Sequence, residues 1–415
     1  MSPNNTAGKP DRSFGENGVV DLNPAGDSDW QTSAVSTGSN DSSFVALHKG
    51  SDFVLTKRLG HGGPNLAFGG DGSGYATWQF QSNADRNIPE QIHLIADGRI
   101  LVIGDCMPLG SNFRHFVGLA RFNANGEPDL DFGTEGRTVI RFKDMDSGHP
   151  FGHVTSAPQP DGKILVAISS DNDTRLARLT REGHLDDSFG TQGFVDVSGP
   201  TANVDIYGIL VQNVTGSPGD FKIVVGGTAD PRERSFGFAA RYNAQGQLDD
   251  GNEGRELFGE QGYALLVIEG KRTHIRAVIQ DARQNIYLTG GYPAIEQSPA
   301  VLGSFTVDGK TNPDFNQGHG PVLTTVPYAG IQWLDAVATR ERLNVLGYAT
   351  NSFSEPVIED ISLGRFTLSG DRDEEFGEED YFATTPTFQD SGKIAVQPDG
   401  RLLLIHHQWF RRFLA

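Results

Sequence analysis

Residues able to do chemistry fall into two sets in this chain of 415 residues, those that recur along it and those that break the recurrence. Arginine recurs at one place in a repeated phrase, as Arg58, Arg121, Arg178, Arg241, Arg365 and Arg412, while Ser304 stands there in one copy. Gathered together, such guanidinium groups would bind anions. The internal reading is that each planar fork meets a carboxylate or carbonyl of its own unit, for instance Asp129 or Asp131, Asp186 or Asp187. Repetition favours the internal use, because residues repeated in every unit maintain the unit. The aromatic anchors Phe14, Phe68, Phe132, Phe189, Phe258, Phe315 and Phe376 recur as well and read as core between units, not as a ligand-stacking stripe.

The residues that do not recur are the better functional candidates. Counting back from Gln159, Gln280, Thr339 and Gln397 places His153, His274, Trp333 and Ser391 at one register, with Tyr207 and Glu90 one residue further along. Brought together, they would make a small polar and aromatic ligand site. With Asp335, the same His153, His274 and Glu90 are the raw material for metal-assisted hydrolysis. Other routes to catalysis lack a signature. No G-x-S-x-G elbow occurs, and Cys106 has no histidine beside it. The acidic turns GGDGSG from Gly69, SDNDTR from Ser170 and KDMDSGH from Lys143 lack the spacing of a calcium loop and read as Asx turns. His406 and His407, adjacent in an extended segment, point to opposite faces and are poorly placed to share a metal.

These residues sit on an internal repeat, which decides the fold. The Phe anchors are separated by 54, 64, 57, 69, 57 and 61 residues. Between anchors come four short phrases with the two-residue alternation of strands. One leads out of the anchor, as in QGFVDV from Gln192. Two form a hairpin across Asp-Gly, as in QPDGKILVAI from Gln159 and QPDGRLLLIH from Gln397. The last carries the arginine and a Gly turn, as in RLARLTREG ending at Gly183. Four strands per copy and seven copies predict an all-β, seven-bladed β-propeller, since radial repetition of small sheets limits exposed edges. Repeats start near 14, 68, 132, 189, 258, 315 and 376, so residues 11–415 are expected to form one domain behind a flexible tail, 1–10. The last copy stops after its arginine phrase and the first begins with an orphan anchor strand. The N-terminal strand is therefore expected to complete the C-terminal blade and close the ring.

HLDDSFGTQGFVDV from His184, IAVQPDGRLLLI from Ile394 and the ARYNAQG-type turn ending at Gly246 together resemble the delta-60 repeat family of bacterial proteins. The resemblance covers nearly the whole chain and implies the propeller, without bringing an activity or catalytic residues. In a propeller the first hairpin strand would line the central channel. His153, His274, Trp333, Ser391, Tyr207 and Glu90 would then ring its mouth. Long connections from Asp105, Thr228, Gly291 and Ala349 would rise on the same face, as loops free to recognise partners.

Composition narrows the partner. A net charge of -19 without a basic run argues against nucleic acid. One cysteine precludes an intramolecular disulfide. No signal-like N-terminus and no run of about eighteen apolar residues appear, so a cytoplasmic monomer is the default, with non-classical export the other route. The expected function is non-enzymatic binding or scaffolding of a protein or glycan. The alternative is a channel-metal hydrolase or lactonase. No cofactor is expected; a single channel cation such as calcium, held by repeated carbonyls, is compatible with the fold.

Overall fold

A computed structural model describes residues 7–23, 29–110, 116–141, 153–169, 174–197, 199–201, 203–213, 221–230, 234–292, 298–326, 330–350, 358–377, 382–384 and 392–415. The fold is an all-β, seven-bladed propeller of seven four-stranded antiparallel sheets. Blade 1 runs Gln31–Thr37, Ser43–Lys49, Asp52–Arg58, Tyr75–Trp78, and blade 2 runs Ala84–Leu94, Ile100–Pro108, Phe116–Phe122, Arg137–Ile140. Blade 3 opens with Val154–Pro158, Ile164–Ser169 and Thr174–Leu179 and takes Phe194–Asp196 as its fourth strand. Blades 4, 5 and 6 begin at Val204–Gln212, His274–Gln280 and Gly330–Ala338. Blade 7 is Lys393–Val396, Leu402–His406 and Trp409–Phe413, and its edge is taken by Val19–Asp21, with Val20 opposite Phe410.

The described residues group into two compact units, Pro10–Asp187 with Ser391–Ala415, and Met1–Lys9 with Ser188–Asp390. Within each unit the first strands of neighbouring blades lie against one another, which makes them the innermost strands. Middle strands are closed off from solvent: Lys222–Ala229, Ile286–Gly291 and Ala300–Phe305 are buried at every position, as expected when both faces of a sheet are covered.

The repeated residues form one clasp. All seven anchor phenylalanines are buried. Arg121 donates from Nε to Asp129 at 2.6 Å, Arg178 to Asp186 at 2.7 Å, Arg241 to Asp249 at 2.7 Å, Arg365 to Asp373 at 2.8 Å and Arg412 to Asp11 at 2.8 Å. Each aspartate takes a second cation from its blade's hairpin turn: Arg99 on Asp129, Lys163 on Asp186, Lys222 on Asp249, Arg342 on Asp373 and Arg401 on Asp11. Burial works against the Asp129 charge, yet the hydrogen bonds from Arg99 and Arg121 outweigh it and hold its carboxyl below the ordinary range. The guanidinium also stacks on the anchor ring, 4.5 Å from its centroid for Arg121 over Phe132 and 4.6 Å for Arg412 over Phe14. A further N–H of Arg121 reaches the Arg181 carbonyl in the next blade's turn.

That turn closes over the anchor. The Gly133 amide donates to the Glu182 carbonyl at 2.8 Å, and Gly183, at φ +86°, presses on Phe132 so closely that a Cβ would lie 2.7 Å from the ring. The same amide-to-turn bond recurs from Gly69 to Asn125 and from Gly259 to Asp308. At the other end of the series the Gly377 amide donates to Ala7, and Gly8 packs on Phe376. The tail expected over residues 1–10 is therefore in contact from Ala7 onward, while residues 1–6 lie outside the described ones.

One member of the arginine series is misassigned by the sequence pattern. Arg58 faces Pro64 as Phe122 faces Pro128, so Arg58 holds the apolar place and Lys57 the basic one. The phrase TKRLG enters its turn one residue later than its relatives. Arg58 is buried and donates to the Tyr75 hydroxyl at 2.5 Å instead of to an aspartate. Opposite Lys57 the aspartate has become Asn65, whose amide bonds the Lys57 carbonyl. In the copy with Ser304 it has become Asn312, which donates to the Ser304 hydroxyl at 3.0 Å.

Candidate functional site

Five innermost strands carry a β-bulge near their middle, and the extra residues are Ser33, Glu90, Tyr207, Arg276 and Leu334. A bulge puts two residues opposite one, so the inserted side chain escapes the in-and-out alternation and is re-aimed. For four of the five the cause is legible on the second strand. Gly104, Gly227, Gly290 and Gly347 lie against the bulged segments, and a Cβ there would stand 1.9 Å from the carbonyl oxygens of Ile88, Asp205 and His274 and 2.3 Å from that of Gln332. Only glycine admits so close an approach. Blade 1 is bulged with Leu47 in that place, blade 3 has Ile168 there and no bulge, and the corresponding stretch of blade 7 reaches residues outside the described ones.

The bulges correct the expected register. Trp333 pairs with Gly347 as Ile275 pairs with Gly290, each directly before its bulge. Counting back from the turn ignores the inserted Leu334. The partner of His274 in this blade is Gln332, and Trp333 is fully buried in the core, edge-on to Phe366 at 6.4 Å, so it lines no channel mouth. Glu90 and Tyr207 are the bulge residues themselves. His153 is exposed, His274 half-buried, and Ser391 lies outside the described residues. The central parts of the four long loops, 111–115, 231–233, 293–297 and 351–357, also lie outside them. The acidic turn at Asp71 is an Asx turn, accepting from the Ser73 amide at 2.9 Å and its hydroxyl at 2.6 Å; the turns from Ser170 and Lys143 fall in undescribed residues.

In the unit of blades 7, 1, 2 and 3, Glu90 accepts from the Val154 amide of the next blade at 3.2 Å. Desolvation and the nearby Asp105 push its carboxyl up to about 8, against the pull of Lys393. Beside it runs a polar ladder between innermost strands that the sequence reading missed. The Ser156 hydroxyl donates to Gln91 Oε1 at 2.5 Å and lies 2.8 Å from His93 Nε2. A serine hydroxyl has one proton, and Gln91 takes it. His93 Nε2 is thus the donor toward Ser156, the reverse of a general base, and desolvation lowers this imidazole to about 4.

In the unit of blades 4, 5 and 6, the bulge residues Tyr207 and Arg276 meet. Arg276 Nη1 donates to the Tyr207 hydroxyl at 3.4 Å, and its guanidinium lies 5.7 Å from the ring centroid. Desolvation raises the phenol. Asp335, named above as a possible hydrolytic group, is half-buried on the innermost strand of blade 6. Among the described residues no three of His, Cys, Asp and Glu come together as a metal site.

Residues 95–132 and 159–189 match the model of a domain of unknown function (DUF5122) beta-propeller. No curated protein matches the chain. Among solved structures, a catalytically inactive virginiamycin B lyase from Staphylococcus aureus with quinupristin is similar at a TM-score of 0.50 and 10% identity, over 96% of this chain and 99% of that one. Drosophila Plexin A in complex with Semaphorin 1b is similar at a TM-score of 0.47 and 9% identity, over 94% of this chain and 85% of that one. At 10% identity the first of these likenesses speaks for the fold alone.

Proposed function

We propose that this chain is a non-catalytic binding propeller of the delta-60 repeat type, recognising a protein or glycan partner through side chains presented by its bulged innermost strands. The observation that carries the reading is the division of labour among residues. Five of the repeated arginines and the phenylalanines are consumed by the clasp, whereas the bulge positions carry a different residue in each of the five bulged blades: Ser33, Glu90, Tyr207, Arg276 and Leu334. A position that is structurally licensed in each copy and chemically different in each is suited to recognition rather than to maintenance. The donor role of His93 toward Ser156 counts against the nearest serine–histidine pair as a hydrolytic one.

The test is a glycan and peptide array probed with the wild type and with Glu90→Gln, Tyr207→Ala and a His153→Ala, His274→Ala double variant. The reading expects selective signals that fall with at least one bulge variant. Turnover on a hydrolase substrate panel, lost with the same variants, would replace it with the enzymatic alternative.

A further inference from the structure

We infer that the innermost strand of blade 2, through Glu90, Gln91 and His93, forms a subsite for the hydroxyl groups of an uncharged oligosaccharide. The inference rests on the reading of the bulged strands as a recognition surface and names the ligand class for one part of it. Glu90, Gln91 and His93 are half-buried, so each keeps part of its surface in contact with solvent. Thr155 and Ser156, on the adjoining innermost strand of blade 3, are buried. The ladder between the two strands uses part of this set and leaves a defined remainder. Gln91 Oε1 accepts from the Ser156 hydroxyl at 2.5 Å, and one N–H of the same amide points to Thr155 Oγ1 at 3.5 Å. The second N–H of the amide remains. His93 commits Nε2–H to Ser156 at 2.8 Å, which leaves Nδ1 with its lone pair as an acceptor. Glu90 Oε2 accepts from the Val154 amide at 3.2 Å, so the proton of this carboxyl sits on Oε1 and can be donated.

Two donors and an acceptor along one strand suit hydroxyl groups, because a hydroxyl can accept from Glu90 or Gln91 and donate to His93. From Glu90 to His93 the strand runs at most about 10 Å, a span for neighbouring hydroxyls of a chain of sugars. Charge gives a ligand little hold here. Desolvation, followed by Asp105 of the second strand, raises Glu90 to about 8 against the pull of Lys393 in blade 7 and Arg86 on its own strand. Desolvation lowers His93 to about 4. Both are uncharged at neutral pH, and the fixed charges around Glu90 are of both signs. An ion entering here would give up hydration without meeting a dedicated opposite charge, whereas a neutral polyol exchanges its water hydrogen bonds for matched ones.

Isothermal titration of the full chain with maltotriose, cellotriose and N-acetylchitotriose, set against glucuronate and glucosamine, tests the inference. Saturable binding of at least one of the three neutral sugars is expected. His93→Gln keeps an N–H toward Ser156 but has no counterpart of Nδ1, so its affinity should fall about tenfold, as for a lost hydrogen bond, with folding intact. Glu90→Leu should lose a similar factor, whereas Glu90→Gln, which keeps a neutral donor, should bind nearly as the wild type does at about pH 6. The pH dependence separates a ligand contact from a merely structural one. Between about pH 6 and about pH 9 Glu90 gives up its proton and ceases to donate, so wild-type affinity should fall while that of Glu90→Gln holds. The inference is overturned if none of the neutral sugars binds, if only the charged sugars bind, or if His93→Gln and Glu90→Leu bind as the wild type does. Peptide signals on the array that survive both variants would sink this subsite while leaving the binding function standing.

Discussion

At the scale of single residues, the innermost strands concentrate groups held away from their ordinary titration. The carboxyl of Glu90 is raised to about 8, so its protonated form is favoured by folding. The stability it contributes is complete below the unfolded value near 4.5 and is lost as the pH rises through about 8. His93, and His48 on the second strand of blade 1, are lowered by desolvation from 6.5 to about 4, so their contribution is complete above 6.5 and is lost as the pH falls toward 4. Stability is therefore expected to peak at mildly acidic pH, and Glu90→Gln should flatten only the alkaline side, as read by urea midpoints at about pH 6 and about pH 9. The clasp gives a sharper prediction. Ser304→Arg introduces a buried cation without the clasp aspartate, at a cost of about 3 kcal/mol, and Asn312→Asp in the same chain should recover most of it. A double-mutant cycle by denaturation measures the coupling, and additive effects would mean that the copy has lost the geometry of the clasp as well as its charges.

At the scale of the strand, alternation and turn chemistry made the hairpins legible, while the bulges escaped. An inserted residue changes the register by one without changing composition, so counting from the turn carried Trp333 onto the mouth when it belongs to the core. The signal was present on the partner strand, in the glycines of LVIGDC, IVVGGTA, YLTGG and NVLGYA. It went unread because it marks a neighbour's bulge rather than its own strand. The same one-residue ambiguity put Arg58 in place of Lys57. Gly290→Ala should collapse the bulge, since its Cβ would fall on the His274 carbonyl, with a loss of about 1–3 kcal/mol. Thermal melting checks the cost.

For the whole molecule, seven anchors and four phrases per copy were sufficient for the propeller, because repetition constrains an architecture more tightly than any single segment does. The candidate site was less legible, since it lies where copies differ and similarity between copies offers no guide. The N-terminal segment matters to the last sheet: it supplies Val19–Asp21 to the edge of blade 7 and Asp11 to the buried Arg412. A chain beginning after residue 22 should expose the edge of Trp409–Phe413 and leave Arg412 uncompensated, a loss of about 3–5 kcal/mol with a tendency to associate through the bare strand. Light scattering and melting of that truncation measure both effects, and an unchanged melting temperature would show that the strand is dispensable.

The bulges have a consequence for how such a chain changes over generations. A side chain in the regular alternation answers to its neighbours, and replacing it disturbs the packing of two sheets. The inserted residue stands outside that alternation, in four of the blades opposite a glycine that has to be kept. Each bulged blade therefore owns one position where the alternation does not dictate the side chain, and the described residues carry five such positions. Ligand preference can drift by single substitutions while the clasp holds the copies to a common form.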